Sequence, residues 1–211
     1  MTDTKLRVLI LNGSPREKGN TALALGEMEK IFAREGVEYE TVPVGRLAVR
    51  GCAACGSCAK TGRCAFDDIV NELAPGFEAA QGLVAASPVY YGSVNGTLLS
   101  VLQRLFYSTR FDKSMKVGAA VVCARRSGCT AAFDEINRFF TISNMPVVSS
   151  RYWNNIHGGA PGEAAQDAEG LQVMRLLAKN MVFLMRSIAL GKHEAPLPAE
   201  DGPRVWTNFI R

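Results

Sequence analysis

Short apolar runs alternate with stretches of helical spacing along almost the whole chain, and each run stops at a turn signal. Arg7-Val8-Leu9-Ile10-Leu11 ends in Asn-Gly-Ser-Pro, as a buried parallel strand ends in a turn. Leu23, Leu25, Met28, Ile31 and Phe32 then recur at helical spacing from Thr21 to Glu35, closed by Gly36. Val37 to Val44 reads as the second strand, Leu83 to Ser87 as the third, Val117 to Cys123 as the fourth and Pro146 to Val148 as a short fifth. Helices are expected after Asp67-Asp68, along Leu98 to Phe106, along Phe133 to Phe140, and from about Glu163 onward. The order βαβαβαβαβα, without repeat or linker, implies a parallel sheet covered by helices on both faces. Ligands of such sheets bind beyond the carboxyl ends of the strands.

Three loops leave those ends with chemistry-bearing residues. The first runs from Asn12 to Thr21. Ser14, Asn20 and Thr21 offer side-chain donors, and Gly13 and Gly19 let the backbone curl so that successive N–H groups face one anion. Arg16 adds charge to such an anion or faces solvent. No Lys follows the last glycine, so this is not the nucleotide triphosphatase loop, and no G-x-G-x-x-G follows the first strand. The second loop, Ser87 to Asn95, carries Pro88, Val89, Tyr90, Tyr91, Gly92 and Ser93. Its tyrosines offer flat faces to a planar ring or pack at the edge of the core. Asn95 or Ser93 caps the next helix. The third loop, Ala124 to Thr130, holds Arg125, Arg126 and Gly128.

Between the second strand and the next helix stand Cys52, Cys55, Cys58 and Cys64, spaced C-x2-C-x2-C-x5-C. Thiols so dense hold a cluster or metal, exchange electrons as dithiols, or remain as free thiols. Zinc sites draw ligand pairs from separated knuckles, which this run does not resemble. Arg50, Lys60 and Arg63 flank the run and offset negative charge. Cys123, at a strand end, reads as a small hydrophobe. His193 suits a helix C-terminus, and His157 borders the loops or is exposed. No Ser/His/Asp set or paired carboxylate argues for hydrolysis.

The hydrophobic share of 47% is enough for a large single core in 211 residues. A formal charge of +4, without a basic run, points to neither nucleic acid nor a membrane surface. The apolar stretch Leu171 to Leu190 is broken by Gln172, Arg175, Lys179, Asn180 and Arg186, as in a buried helix rather than a membrane span. The amino-terminal residues show no export signal, so a cytoplasmic location and unpaired cysteines are expected.

Gly13 to Thr21 (G-S-P-R-x-x-G-N-T), the cysteine run before Asp67-Asp68, Ser87 to Val94 (S-P-V-Y-Y-G-S-V) and Arg125 to Gly128 (R-R-S-G) together resemble the flavodoxin-like NADPH-dependent FMN reductases. More narrowly they resemble the iron–sulfur flavoprotein branch. The resemblance spans residues 5 to 190, and the cysteine run is its most specific part. It implies an α/β, three-layer doubly wound fold with a five-stranded parallel sheet in the order 2-1-3-4-5. It implies FMN held at its phosphate by Ser14, Arg16, Asn20 and Thr21. The ring would be held by Pro88, Val89, Tyr90, Tyr91, Gly92, Ser93, Arg125 and Gly128, with Cys129 standing where a second glycine is common. It also implies a cysteine-bound [4Fe–4S] cluster on Cys52, Cys55, Cys58 and Cys64, NAD(P)H as reductant, and a small-molecule acceptor or a ferredoxin-type protein as partner. The expected FMN domain covers 1–195, with the cysteine loop at 50–65 and a tail at 196–211. Trp206, Phe209 and Ile210 in that tail are expected to dock on the same domain or on a second subunit of a homodimer or homotetramer.

Overall fold

The computed structural model describes residues 5–199, 202–203, 205–207 and 209. Five parallel strands form one sheet: β1 (Arg7–Asn12), β2 (Glu38–Pro43), β3 (Gly82–Pro88), β4 (Val117–Ala124) and β5 (Asn155–His157). Their spatial order is β2-β1-β3-β4-β5, the order the resemblance implied. Helices α1 (Asn20–Arg34), α2 (Ser57–Thr61), α3 (Ile69–Ala79), α4 (Gly96–Ser108), α5 (Cys129–Thr141) and α6 (Ala168–Glu194) complete it.

The central strands are buried on both faces, which is why β3 and β4 are almost wholly apolar and small. Successive side chains point to opposite faces. Val8, Ile10, Val84, Val117 and Val121 therefore meet Leu25, Met28 and Phe32 of α1 and Leu177 and Met181 of α6. Leu9, Leu11, Leu83, Ala85 and Val122 meet Leu73 and Phe77 of α3, Leu98, Leu102 and Leu105 of α4, and Ile136 and Phe140 of α5. Helices thus lie on both faces, and the strand ends carry the loops to one edge.

The fifth strand departs from expectation. Pro146 to Val148 makes only a bridge, with Val147 opposite Gly118, and the paired segment is Asn155–His157 alongside Val122 to Ala124. The chain bulges outward between the two. Asn154, buried at 1% exposure, closes the bulge by donating to Val148 O and accepting from Ser150 Oγ at 2.9 Å. The last helix begins later than expected: a 3₁₀ turn at Glu163–Gln166 precedes α6, which Asp167 caps by accepting from Gly170 N–H at 2.8 Å. In the tail Val205, Trp206 and Phe209 are exposed, and Ile210 lies outside the described residues. Among the described residues no helix is long and apolar enough to cross a membrane.

Candidate functional site

The loop after β1 begins with Gly13, whose N–H donates to Ala86 O at 2.7 Å across the β1–β3 seam. A Cβ there would meet Ala86 O and Leu98 at 2.9 Å, so only glycine lets the loop leave the sheet this tightly. Ser14 is buried. Its N–H donates to Asn12 Oδ1 at 2.9 Å, and its Oγ bonds both the N–H and the carbonyl of Arg16. Ser14 therefore shapes the loop from within, while the Arg16 side chain is exposed. Gly19 precedes α1 without any side-chain cap, so the first-turn N–H groups of α1 face the loop. Thr21 is 2% exposed at that end. An uncapped 15-residue helix behind a curled loop is a fitting seat for a monophosphate.

Asn20 is placed differently from a free donor. Its Nδ2 donates to Ala160 O at 2.9 Å, and its Oδ1 accepts from Gly162 and Ala164 N–H at 2.9 and 3.2 Å. It ties the phosphate-type loop to the segment between β5 and α6. Glu163 braces the same segment by accepting from Gly159 and Ala160 N–H at 2.7 and 2.9 Å; these backbone bonds hold its carboxyl below the usual range. A second brace comes from the loop after β2, which motif reasoning missed. Gly45 lies flat against Ser14, and Arg46 donates from Nε to Pro15 O and from Nη1 to Glu17 at 3.1 Å. The legible signal was a glycine directly after the strand-ending Val44.

In the second loop Tyr90 N–H donates to Ser93 O at 2.8 Å and Ser93 N–H returns to Tyr90 O at 3.0 Å. Tyr91 and Gly92 between them both have positive φ, 52° and 78°, the pattern of a tight two-residue turn. Tyr91 is wholly exposed at its tip and Tyr90 partly so. Pro88 ends β3, and Val89 N–H donates to Cys123 O at 2.8 Å. Ser93 Oγ donates to Glu135 Oε2 at 2.6 Å, and Val94 N–H to the same oxygen at 3.0 Å, so this hydroxyl anchors the turn to α5. Asn95 caps α4 by accepting from Thr97 N–H at 2.8 Å.

The third loop meets the second: a Cβ on Gly128 (φ +91°) would touch Val89 at 3.0 Å and Gly92 at 3.2 Å. The Arg125 stem packs on Gly159, and Arg125 and Arg126 are exposed. Ser14, Arg16, Val89 to Ser93, Arg125 and Gly128 thus lie on loops at the carboxyl edge of the sheet, with Asn20 and Thr21 in the first turn of α1 and Pro88 at the end of β3. Cys129 Sγ stands 4.0 Å from His157 Nε2, and His157 Nδ1 is 3.6 Å from Asp167. Burial pushes the Cys129 thiol up, and pushes Cys123 up to about 11, so neither is an activated nucleophile at neutral pH.

Cys52, Cys55, Cys58 and Cys64 line one small cavity of about 20 Å³ with Phe66, Arg104 and Tyr107. All four are unpaired thiols, Cys52 and Cys55 exposed, Cys58 and Cys64 half-buried. Gly56 and Gly62, both left-handed, bracket α2 within the run, and Ala54 is left-handed as well. Asn71 pins the end of the run by accepting from Cys64 N–H at 3.0 Å and donating to Cys64 O at 3.1 Å. Four thiols on one cavity beside the Arg104 guanidinium are the donor set a cluster needs. Among the described residues no three Cys, His, Asp or Glu side chains already stand in a ligating array.

A family model for NADPH-dependent FMN reductases matches residues 6–159. An iron–sulfur flavoprotein of Methanocaldococcus jannaschii is 31% identical over 191 residues, covering 87% of this chain and 99% of that protein. The structure of RosB with bound 8-demethyl-8-formylriboflavin 5′-phosphate superposes with a TM-score of 0.69 at 17% identity, over 98% of this chain and 94% of the other. A flavodoxin from the domain Archaea superposes with a TM-score of 0.54 at 15% identity, over 84% of this chain and 99% of the other. At such identities these two structures speak for the fold.

Proposed function

The chain belongs to the NADPH-dependent FMN reductase family, in its iron–sulfur flavoprotein branch, and from that premise we propose that it is an FMN-dependent oxidoreductase that takes electrons from NAD(P)H. The convergence of the loops after β1, β3, β4 and β5 on one edge carries this reading. FMN, when bound, supplies hydride acceptance and onward electron transfer. The chain's own work is placement. The α1 N-terminus, Thr21 and the loop shaped by Ser14 hold the phosphate, with Arg16 adding charge. Pro88 to Ser93, Arg125 and Gly128 bound the ring, and the Ser93–Glu135 bond keeps their turn still. Hydride transfer to a flavin requires no protein acid or base, so no side chain is given a catalytic role.

Cys52, Cys55, Cys58 and Cys64 would hold a [4Fe–4S] cluster, which supplies one-electron transfer. Residues 1–195 form the FMN domain in this reading and 196–211 its tail. The protein is cytoplasmic and assembles as a homodimer or homotetramer, with the exposed Trp206 and Phe209 rings at the contact with a second copy.

The decisive experiment is anaerobic mixing of the FMN-loaded protein with NADH or NADPH. Loss of the oxidised flavin absorption within the mixing experiment is the expected result. A flavin that stays oxidised with both nucleotides overturns the nicotinamide assignment. It would leave the second reading, an electron carrier fed at its cysteines by a ferredoxin-type protein. The exposure of Cys52, Cys55 and Tyr107 around the cysteine cavity favours that alternative, since a protein donor could approach there.

A further inference from the structure

We infer that Arg104 is a positioning residue for the cysteine loop, holding Cys64 as the fourth ligand and supplying the hydrogen-bond donors that tune the group bound there. The inference rests on the cluster reading above.

Arg104 lies on the inner face of α4 at 1% exposure, the largest fully buried side chain among the described residues. Leu98, Val101, Leu102 and Leu105 are buried on the same helix, so its apolar stripe does not itself call for a charge at 104. A buried cation there is expensive unless its donors are met. All three guanidinium nitrogens have partners. Nε and Nη2 donate to Cys64 Sγ at 3.3 and 3.2 Å. Nη1 and Nη2 donate to the two Asp68 carboxylate oxygens at 2.6 and 2.9 Å. Nη2 also reaches Phe66 O at 3.1 Å, and Nη1 reaches Arg50 O at 3.4 Å. The two-oxygen bond to the Asp68 carboxylate leaves the guanidinium cation paired.

The partners bracket the cysteine run. Arg50 precedes Cys52, while Cys64, Phe66 and Asp68 end the run and open α3. One side chain therefore gathers both ends of the loop onto α4. Asp68 does not need Arg104 for its own task, because its Oδ1 caps α3 at Val70 N–H. What only Arg104 provides is a forked cation aimed at one sulfur. Hydrogen bonds to a ligand sulfur stabilise the more negative, reduced state of a cluster and raise its potential. The same α4 is capped at its other end by Asn95 in the ring loop, so the helix spans the two proposed cofactor positions.

The test uses full-length protein reconstituted anaerobically with FMN, iron and sulfide. Iron content and the midpoint potentials of cluster and flavin are read for the wild type, Arg104→Gln, Arg104→Lys and Asp68→Asn. Arg104→Gln is expected to lower the cluster potential and iron retention and to leave the flavin potential unmoved. Arg104→Lys, which keeps charge but not the fork, should fall between. Asp68→Asn keeps the donors on Cys64 and removes a negative charge, so its potential should rise or hold, with iron retained. If Arg104 were only half of a structural clamp with Asp68, both sites would lose iron and shift alike; that result overturns the inference, as does an unchanged potential in Arg104→Gln. Should Arg104→Gln not fold, a fall in potential or loss of iron in Asp68→Asn still refutes it. A wild type without iron removes the cluster reading, and this inference with it, whereas failure of the variants alone leaves that reading standing.

Discussion

Asn20 Oδ1 accepts the N–H of Gly162 at 2.9 Å, joining the first residue of α1 to a loop 142 positions further along the chain. The phosphate-type loop is therefore shaped by the segment after β5 as much as by its own glycines. Asn20→Ala would break three bonds and strand the N–H of fully buried Ala164. One buried donor left unmade costs about 1–3 kcal/mol. Denaturant unfolding of the FMN-free protein should show a loss of that order. Asn20→Asp preserves both acceptor bonds but sets a carboxylate by the phosphate seat, so its stability should exceed that of Asn20→Ala while its FMN affinity falls further. Calorimetric titration with FMN separates the two.

The strands β1, β3 and β4 were legible because burial on both faces demands continuous apolar runs, and Pro88 and the Asn-Gly-Ser-Pro turn mark their ends. β5 was not. At the sheet edge only Ile156 of Asn155–His157 is fully buried, so the segment needs no apolar run, whereas Pro146 to Val148 has one and makes only a bridge. The site shows the same division. Ser14, Asn20 and Ser93 were legible as polar residues at or next to the strand-end loops. Their bonds to Arg16, to residues 160–164 and to Glu135 were not, because most of these pairs are too distant in sequence to leave a local pattern. Arg104 hid inside an amphipathic helix, where a lone Arg among leucines reads as an edge residue.

Gly45 supports the phosphate-type loop from below. A Cβ at this position would overlap the Ser14 carbonyl carbon and Gly13 O, both backbone atoms that cannot rotate away. Gly45→Ala should destabilise the fold by about 1–3 kcal/mol, the usual cost of overpacking, and weaken FMN binding as well. Gly26→Ala, where the added methyl meets nothing within 4 Å, is the matched control and should leave FMN binding intact. Equal FMN affinities in the two variants would refute the role given to Gly45.

Glu163 makes the segment after β5 acid-sensitive. Its backbone partners Ala160 and Gly159 depress its folded-state pKa below the ordinary 4.5. A depressed carboxyl contributes stability that is complete above the unfolded value and is lost as pH falls through the folded one. The bonds to Gly159 and Ala160 should thus hold at neutral pH and loosen only below 4.5. The side chain is exposed, so solvent screening keeps the effect local. Amide hydrogen exchange at Gly159 and Ala160 should be faster in Glu163→Gln than in wild type at pH 6, and the two should converge in acid.

The proposed phosphate seat and the cysteine run use different side chains, although the connection after β2 touches both, and this should make their cofactors separable. FMN would rest on the loops after β1, β3, β4 and β5, whereas the thiols hang between β2 and α3 and are held by Asn71 and Arg104. Cys58, on the short α2 between left-handed Gly56 and Gly62, lines the cysteine cavity, whose lining includes none of the residues proposed to hold FMN. Cys58→Ala should therefore bind FMN as the wild type does. In anaerobic samples reconstituted with iron and sulfide, the wild type should carry about four irons per chain and absorb broadly beyond the flavin bands. Cys58→Ala should lose that absorption, because a missing thiolate opens an iron to solvent. Air must be excluded, since oxidation of exposed thiols mimics the loss. If both proteins bind no iron and show flavin bands alone, the cysteines are free or dithiol-forming residues, and the protein is a flavin reductase without a cluster.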